Sequence, residues 1–210
     1  MAEIELKNIA HSYNPQSADM TYALDPFNMT WVDGGRYAIL GPSGCGKTTM
    51  LNIMSGIVQP SEGKLHFDGV DVTTLSTSER NIAQVFQFPV IYGTMSVEQN
   101  LAFPLVCRNY EKSVIDAKVQ EVAEALSLQG LLKKSASRLT ADQKQLISLG
   151  RGLVRDDVAA VLMDEPLTVI DPDLKFRLRR QLKEINQKYR STLIYVTHDQ
   201  NEAMTFAENI

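Results

Sequence analysis

Cysteine is nearly absent from this chain: two in 210 residues, Cys45 and Cys107, far apart in sequence. That spacing suggests neither a disulfide framework nor a zinc site. No apolar run approaches the roughly 18 residues of a membrane-spanning helix. The opening MAEIELKNIA lacks the apolar core of a signal peptide, so a cytosolic chain is expected. Charge of one sign is lacking too. With 21 Lys+Arg against 25 Asp+Glu, the net charge of −4 argues against nucleic acid as a partner. The basic stretch from Lys175 to Arg190 does not alter this. Leu174, Leu178, Leu182, Ile185 and Tyr189 form one apolar stripe at helical spacing, which leaves the charges as a solvated face. Internal repeats and low-complexity segments are missing. Hydrophobic content of 44% and charged content of 22% are ordinary for a globular protein. The length suits one large domain or a domain with an insert.

What is present is concentrated at residues 41–49, GPSGCGKTT, which fit G-x-x-x-x-G-K-[ST]. Gly41, Gly46, Lys47 and Thr48 occupy the fixed places, with Pro42, Ser43, Gly44, Cys45 and Thr49 completing the loop. Glycines let the backbone curl so that successive N–H groups point at phosphate oxygens. Lys47 supplies a point charge for the β- and γ-phosphates, and the Thr48 hydroxyl reaches Mg²⁺. The context agrees: Tyr37 to Leu40 reads as a buried strand, and Thr48 to Ser55 as a helix whose N-terminal dipole faces the phosphates. Cys45, at that helix N-terminus, is expected to be a site where alkylation blocks ATP binding and bound ATP protects.

Alternation from Ile4 to Ile9 predicts a half-buried antiparallel strand. Further strands are expected around Lys64 to Phe67, from Ala83 to an end at Gln87, from Val158 to Met163 and from Thr192 to Val196. Helical spacing runs through Ile115, Val119, Val122 and Leu126, and again from Ala141 to Leu153. Between Phe88 and Val106 the pattern breaks down, with two prolines among apolar residues. The whole reads as an α/β fold: a parallel P-loop NTPase (RecA-like) core with an antiparallel β subdomain and a helical insert. We place the core at residues 1–87 and 157–210 and the helical subdomain at 88–156.

Ala160 to Pro166 holds an apolar strand ending in two carboxylates, Asp164 and Glu165. Beside a P-loop, Asp164 would hold Mg²⁺ through water and Glu165 would orient and deprotonate the attacking water. Alone, such an acidic terminus merely caps a turn. Tyr195-Val196-Thr197-His198 ends another apolar strand, and His198 there is suited to contact the γ-phosphate and the water. Gln87 offers a carbonyl to Mg²⁺ or the water. The apolar segment after it suits the binding of another protein.

That order (P-loop, Gln, helical insert, strand-Asp-Glu, strand-His) resembles the nucleotide-binding subunits of ABC transporters over essentially the whole chain. The resemblance implies that Tyr13 stacks on adenine and that Asp171, closing Thr168-Val169-Ile170-Asp171, contacts a second subunit. It also implies ATP with Mg²⁺, hydrolysis of that ATP, transmembrane permease subunits, and indirectly a periplasmic solute-binding protein. The location implied is the cytoplasmic face of the bacterial inner membrane. The phrases HSYNPQSADMTYAL, NIAQVFQFPVIY and LTADQKQ look like one ATPase of the two-ATPase glycerol importers. Such subunits continue into more strands and a regulatory domain, which are expected to be missing after Ile210.

One motif departs from the family pattern. Where these proteins carry LSGGQ, this chain has Leu139-Thr140-Ala141-Asp142-Gln143. The family motif clamps the γ-phosphate held by the other subunit of a head-to-tail dimer. Thr140 keeps a hydroxyl and Gln143 is retained, but Ala141 and Asp142 replace both glycines. Asp142 also suits a helix N-terminus. The expectation is an asymmetric dimer with a non-identical ATP-binding subunit whose signature is intact. A regulatory subunit with little turnover is the alternative reading. A DNA-repair ATPase is disfavoured by the interval of about ninety residues between P-loop and signature, without heptads. Tandem translation factors would need a second P-loop, and a GTPase would need N-K-x-D.

Overall fold

The computed structural model describes residues 2–17 and 19–210. Met1, and Ala18 of the HSYNPQSADMTYAL segment, lie outside the described residues. The elements run β1 (Ile4–His11), β2 (Leu24–Trp31), β3 (Arg36–Leu40), α1 (Lys47–Ser55), β4 (Glu62–Phe67), β5 (Val70–Asp71) and β6 (Ala83–Val85). They continue as α2 (Val97–Val106), α3 (Lys112–Ala125), α4 (Ala141–Leu153), β7 (Val161–Asp164), α5 (Pro172–Tyr189), β8 (Leu193–Thr197) and α6 (Gln200–Phe206). Among the described residues the strands form an antiparallel sheet in the order β2-β1-β4-β5 and a parallel sheet in the order β3-β8-β7-β6.

The parallel sheet is covered on both faces, so its central strands are apolar throughout rather than alternating. Leu162, Ile194 and Val196 pack with α1 and the antiparallel sheet, through Met50, Ile53, Leu6 and Leu65. Val161, Met163, Leu193 and Tyr195 point the other way, towards Leu149, Leu178 and Phe206. Period-two alternation along the strands thus divides the interior into two cores. Register then sets the position of the site. Leu40 lies opposite Thr197 and Asp164 opposite Val196, so β3, β7 and β8 end along one edge of the sheet.

Several regions differ from the sequence expectation: β2 was not expected, and the strand expected from Val158 starts at Val161. The strand expected to reach Gln87 ends at Val85, leaving Phe86 and Gln87 beyond the ladder. Within the stretch expected to be irregular, α2 forms despite Pro104. A capping box starts it: Gln99 N donates to Ser96 Oγ at 3.1 Å, and Ser96 N donates to Gln99 Oε1 at 2.9 Å. Satisfying these end groups and burying Leu101 and Leu105 outweighs the one ladder bond that proline removes.

Candidate active site

The loop after β3 turns through Gly44 and Gly46, both in the left-handed region, at φ 85° and 91°. At Gly46 the requirement is strict, because a Cβ there would lie 2.5 Å from the Ala23 carbonyl oxygen. Gly46 thereby brings the loop against the strand entry while starting α1. Lys47 is buried, and its ammonium donates to the Gly41 and Pro42 carbonyls, each at 2.7 Å. Cys45 is exposed, with Sγ 3.7 Å from the same ammonium. Cys45 lines a 170 Å³ side cavity with Leu24 and Met50 rather than the main cavity.

Thr48 Oγ1 donates to Asp164 Oδ2 at 2.8 Å. Burial raises the Asp164 carboxyl above the usual carboxylate range; the Thr48 hydrogen bond opposes this, and the Glu165 charge adds to it. A carboxylate desolvated in this way gains from a cation beside it. Thr48 and Asp164 are therefore a fitting pair for Mg²⁺, which takes one or two protein oxygens and completes its shell with phosphate and water. Among the described residues no cluster of three or more His, Cys, Asp or Glu forms a protein-only metal site.

Glu165 continues the β7–β8 pairing through its N–H to the Val196 carbonyl at 3.0 Å, then turns with φ 44°. This strained geometry is fixed from several sides. The Thr168 hydroxyl donates to the Glu165 carbonyl at 3.1 Å and to Oε2 at 3.3 Å. Gln87 Nε2 donates to Oε2 at 3.3 Å, and His198 Nδ1 lies 3.0 Å from Oε1. A neutral His198 donating from Nδ1 keeps Nε2 as an acceptor for water. Donation from Nε2 to a phosphate oxygen needs the other tautomer or the imidazolium.

One cavity of 580 Å³ gathers Tyr13, Lys47, Thr48, Gln87, Glu165 and His198, along with Ser43, Gly44, Gly46 and Thr49. A larger cleft of 720 Å³ runs along Met29 to Val32 and Tyr37 to Leu40. It has no Asp, Glu, Lys, Arg or His in its lining, so the chemistry belongs to the smaller cavity. Tyr13 is exposed; its hydroxyl lies 3.2 Å from Thr49 Oγ1 and its ring 4.5 Å from the His11 ring, edge to face. Thr168 lines the cavity and His11 packs against Tyr13; no motif assigns either a role. Thr168 had a readable signal, since a Thr three residues after a turn residue hydrogen-bonds back to it. His11 had none.

The structure does not bring Thr140, Ala141, Asp142, Gln143 or Asp171 to this cavity. Thr140 caps α4, accepting from Gln143 N at 3.4 Å while Thr140 N donates to Gln143 Oε1 at 3.3 Å. The Thr140 hydroxyl donates to Asp142 Oδ1. Asp171 caps α5 through Asp173 N at 2.9 Å and Leu174 N at 3.3 Å.

A parallel sheet whose strand ends carry a glycine loop, a Thr–Asp pair and a Glu–His pair defines a P-loop nucleotide-binding protein. The profile of the ABC transporter family matches residues 24–168, and the chain belongs to that family. It is 40% identical over all 210 residues to the trehalose import ATP-binding protein SugC of Mycobacterium tuberculosis, covering 52% of that protein. It is 37% identical to the sn-glycerol-3-phosphate import ATP-binding protein UgpC of Escherichia coli K12, covering 58%. The chain thus spans about half the length of these curated relatives. Among solved structures it superposes on the dimeric structure of MJ0796, a bacterial ABC transporter cassette, with TM-score 0.86 and 26% identity, covering 97% of this chain and 91% of that one. A second MJ0796 dimer, in a post-hydrolysis state bound to ADP and Pi, matches equally well.

Proposed function

We propose that this chain binds and hydrolyses ATP to power an importer of sugars or polyols, as one of two cassettes on the cytoplasmic face of a bacterial inner membrane. The observation that carries this is the convergence of Lys47, Thr48, Gln87, Glu165 and His198 on one cavity at the carboxyl edge of the parallel sheet. Lys47 exchanges its two loop carbonyls for phosphate oxygens, a stronger charge-assisted contact. Tyr13 offers its exposed ring to the adenine. Thr48, Asp164 and Gln87 would hold Mg²⁺, which when bound neutralises charge on the phosphates. Glu165, steadied by Thr168 and His198, takes the proton of the attacking water.

Residues 88–156 serve in this reading as a helical subdomain that meets the other subunits. Phe88, Val90 and Tyr92, directly after Gln87, are exposed apolar residues, and we assign them to contact with transmembrane permease subunits. The names of the relatives, trehalose and sn-glycerol-3-phosphate importers, support the solute class. Within it we retain glycerol, delivered through a periplasmic solute-binding protein. The second cassette is a non-identical chain with an intact signature, because the Thr140 hydroxyl is already engaged by Asp142.

Glu165→Gln tests the core of this reading. Hydrolysis and transport should fall by at least a hundredfold (on the scale of losing a general base, roughly 10²–10⁴) while ATP binding persists. Unchanged transport would point to the other reading that the altered signature keeps open, a regulatory subunit with little turnover. For the asymmetry, ATP hydrolysis by the purified chain alone as fast as by a reconstituted pair would sink the non-identical partner.

A further inference from the structure

Beneath the His198 turn lies a carboxylate that the chemistry above leaves unused. Glu202, on α6, is 6% exposed. Its Oε2 accepts from the Tyr195 hydroxyl at 2.8 Å and the Thr197 hydroxyl at 3.0 Å. Its Oε1 faces Lys175 Nζ at 3.3 Å and Arg179 Nη1 at 3.8 Å, both on α5. Thr197 Oγ1 also accepts from Asp199 N at 3.0 Å, and Asp199 Oδ1 accepts from Glu202 N at 3.3 Å. Thr197 and Asp199 are the two residues flanking His198, so both of its neighbours are bound to this one acid or its backbone.

The α5 side of the network leads to a different place. Lys175 stands one turn into the helix, and its N–H donates to the carbonyl of the capping Asp171 at 2.8 Å. Arg179 follows one turn later, and its Nε is buried without a partner. Its guanidinium therefore relies on Glu202 rather than on a complete set of hydrogen bonds. Burial and the Glu202 charge push the Tyr195 phenol well above its ordinary range, which keeps its proton on the donor side of the bond. If packing were the only need, an apolar residue would fill this position at least as well, since a buried ion pair is no better for stability than a hydrophobic replacement.

We propose that Glu202 is a positioning residue that ties α5, and with it Asp171, to the His198 turn, so that His198 is seated on Glu165 only while α5 is in place. This inference rests on the ATPase reading for its kinetic consequence. The structural tie itself is observable without turnover.

Glu202→Gln is close to isosteric, keeps an acceptor for the two hydroxyls and removes the charge facing Lys175 and Arg179. In the assembled pair kcat should fall tenfold or more, while the ATP dissociation constant stays within twofold. The chain has three histidines, so side-chain NMR is easily assigned. The His198 signal should shift in the variant, and those of His11 and His66 should not. A charge-free triple variant (K175M, R179M, E202Q) should regain thermal stability without regaining kcat; if Glu202→Gln does not fold, the triple variant is read in the same two ways. An unchanged kcat with an unmoved His198 signal, whatever the melting temperature does, overturns the tie. If the wild-type pair fails to hydrolyse ATP, the proposed function falls, and the His198 signal alone then decides the tie.

Discussion

Asp142→Gly sets two effects of one residue against each other. Asp142 is the acid in the first turn of α4, and its carboxylate receives the Thr140 hydroxyl. Removing it forfeits a favourable helix-dipole interaction of about 0.3–1 kcal/mol, and glycine in the helix adds about 0.5–1 kcal/mol. Stability should therefore drop by about 1–2 kcal/mol, or several degrees of melting temperature at about 2–4 °C per kcal/mol. The same change removes a negative charge from a surface proposed to meet a polyphosphate. Two unit charges 4 Å apart repel by about 4 kcal/mol at an effective dielectric of 20, approaching a thousandfold at about 1.4 kcal/mol per tenfold. Asp142 is only half-buried, so screening trims this, and we expect at least a tenfold gain in steady-state ATP hydrolysis by the chain paired with itself. Asp142→Asn separates the causes, since it keeps an acceptor for the Thr140 hydroxyl without the charge. A comparable gain with Asn assigns the effect to electrostatics; a gain with Gly alone assigns it to close backbone approach. A lower melting temperature with unchanged hydrolysis per folded molecule would refute the argument and leave Asp142 as a stabilising charge in the first turn of α4.

Three further outcomes follow from the geometry. Because burial raises the Asp164 carboxyl, the ionised form opposes folding: relative stability is greatest below the ordinary carboxylate range and declines as pH rises through the raised value. Asp164→Asn should therefore raise the melting temperature at neutral pH, with the advantage vanishing on acidification below pH 4 or so, while hydrolysis is lost; calorimetry across pH checks the sign. Arg80 is fully buried and donates to the Leu75, Ile53, Met54 and Thr73 carbonyls, closing the C-terminus of α1. Arg80→Met removes this donor from all four carbonyls, of which Ile53 keeps the Gly56 N–H, at about 1–3 kcal/mol for each left bare before relaxation, so chemical denaturation should show a loss of at least about 3 kcal/mol. Alkylation at Cys45 with a maleimide should abolish nucleotide binding and be slowed by saturating ATP, whereas modification confined to Cys107 should leave binding intact; mass spectrometry with a binding assay distinguishes the two.

The site was legible wherever it sits on buried parallel strands. Val161 to Asp164 and Leu193 to Thr197 are buried at every position, so they stand out as apolar runs, and the polar residues ending them mark the sheet edge. β2 was not legible. It carries Pro26, has a single buried residue and pairs with β1 alone, so its sequence holds little hydrophobic pattern. α2 was obscured by Pro104 although Ser96 and Gln99 announce its start. His11 meets the Tyr13 ring through side-chain geometry that only the folded chain creates. The same holds for Glu202, whose partners come from β8 and α5.

The groups assigned to ATP chemistry are all satisfied inside the chain: Lys47 by two carbonyls, Asp164 by Thr48, and Glu165 by Thr168, Gln87 and His198. In the proposed function, binding is then an exchange of partners, and the sign of each exchange depends on charge. Lys47 leaves neutral carbonyls for anionic oxygens and gains, since charge-assisted hydrogen bonds are roughly twice as strong as neutral ones. Asp164 gains a cation where burial had penalised it. Glu165 can keep Thr168 and His198 while giving up Gln87, which frees the Gln87 amide for the metal or the water and one acceptor position on Oε2 for a proton. The α4 terminus is satisfied internally as well, through Thr140 and Asp142, but there the exchange runs uphill. Freeing the Thr140 hydroxyl for a phosphate exposes the Asp142 carboxylate to the same anion. One chain thus carries a terminus that gains by meeting a nucleotide and another that loses, and two copies facing each other would place the losing terminus over both sites. The proposed non-identical cassette would avoid this for one site.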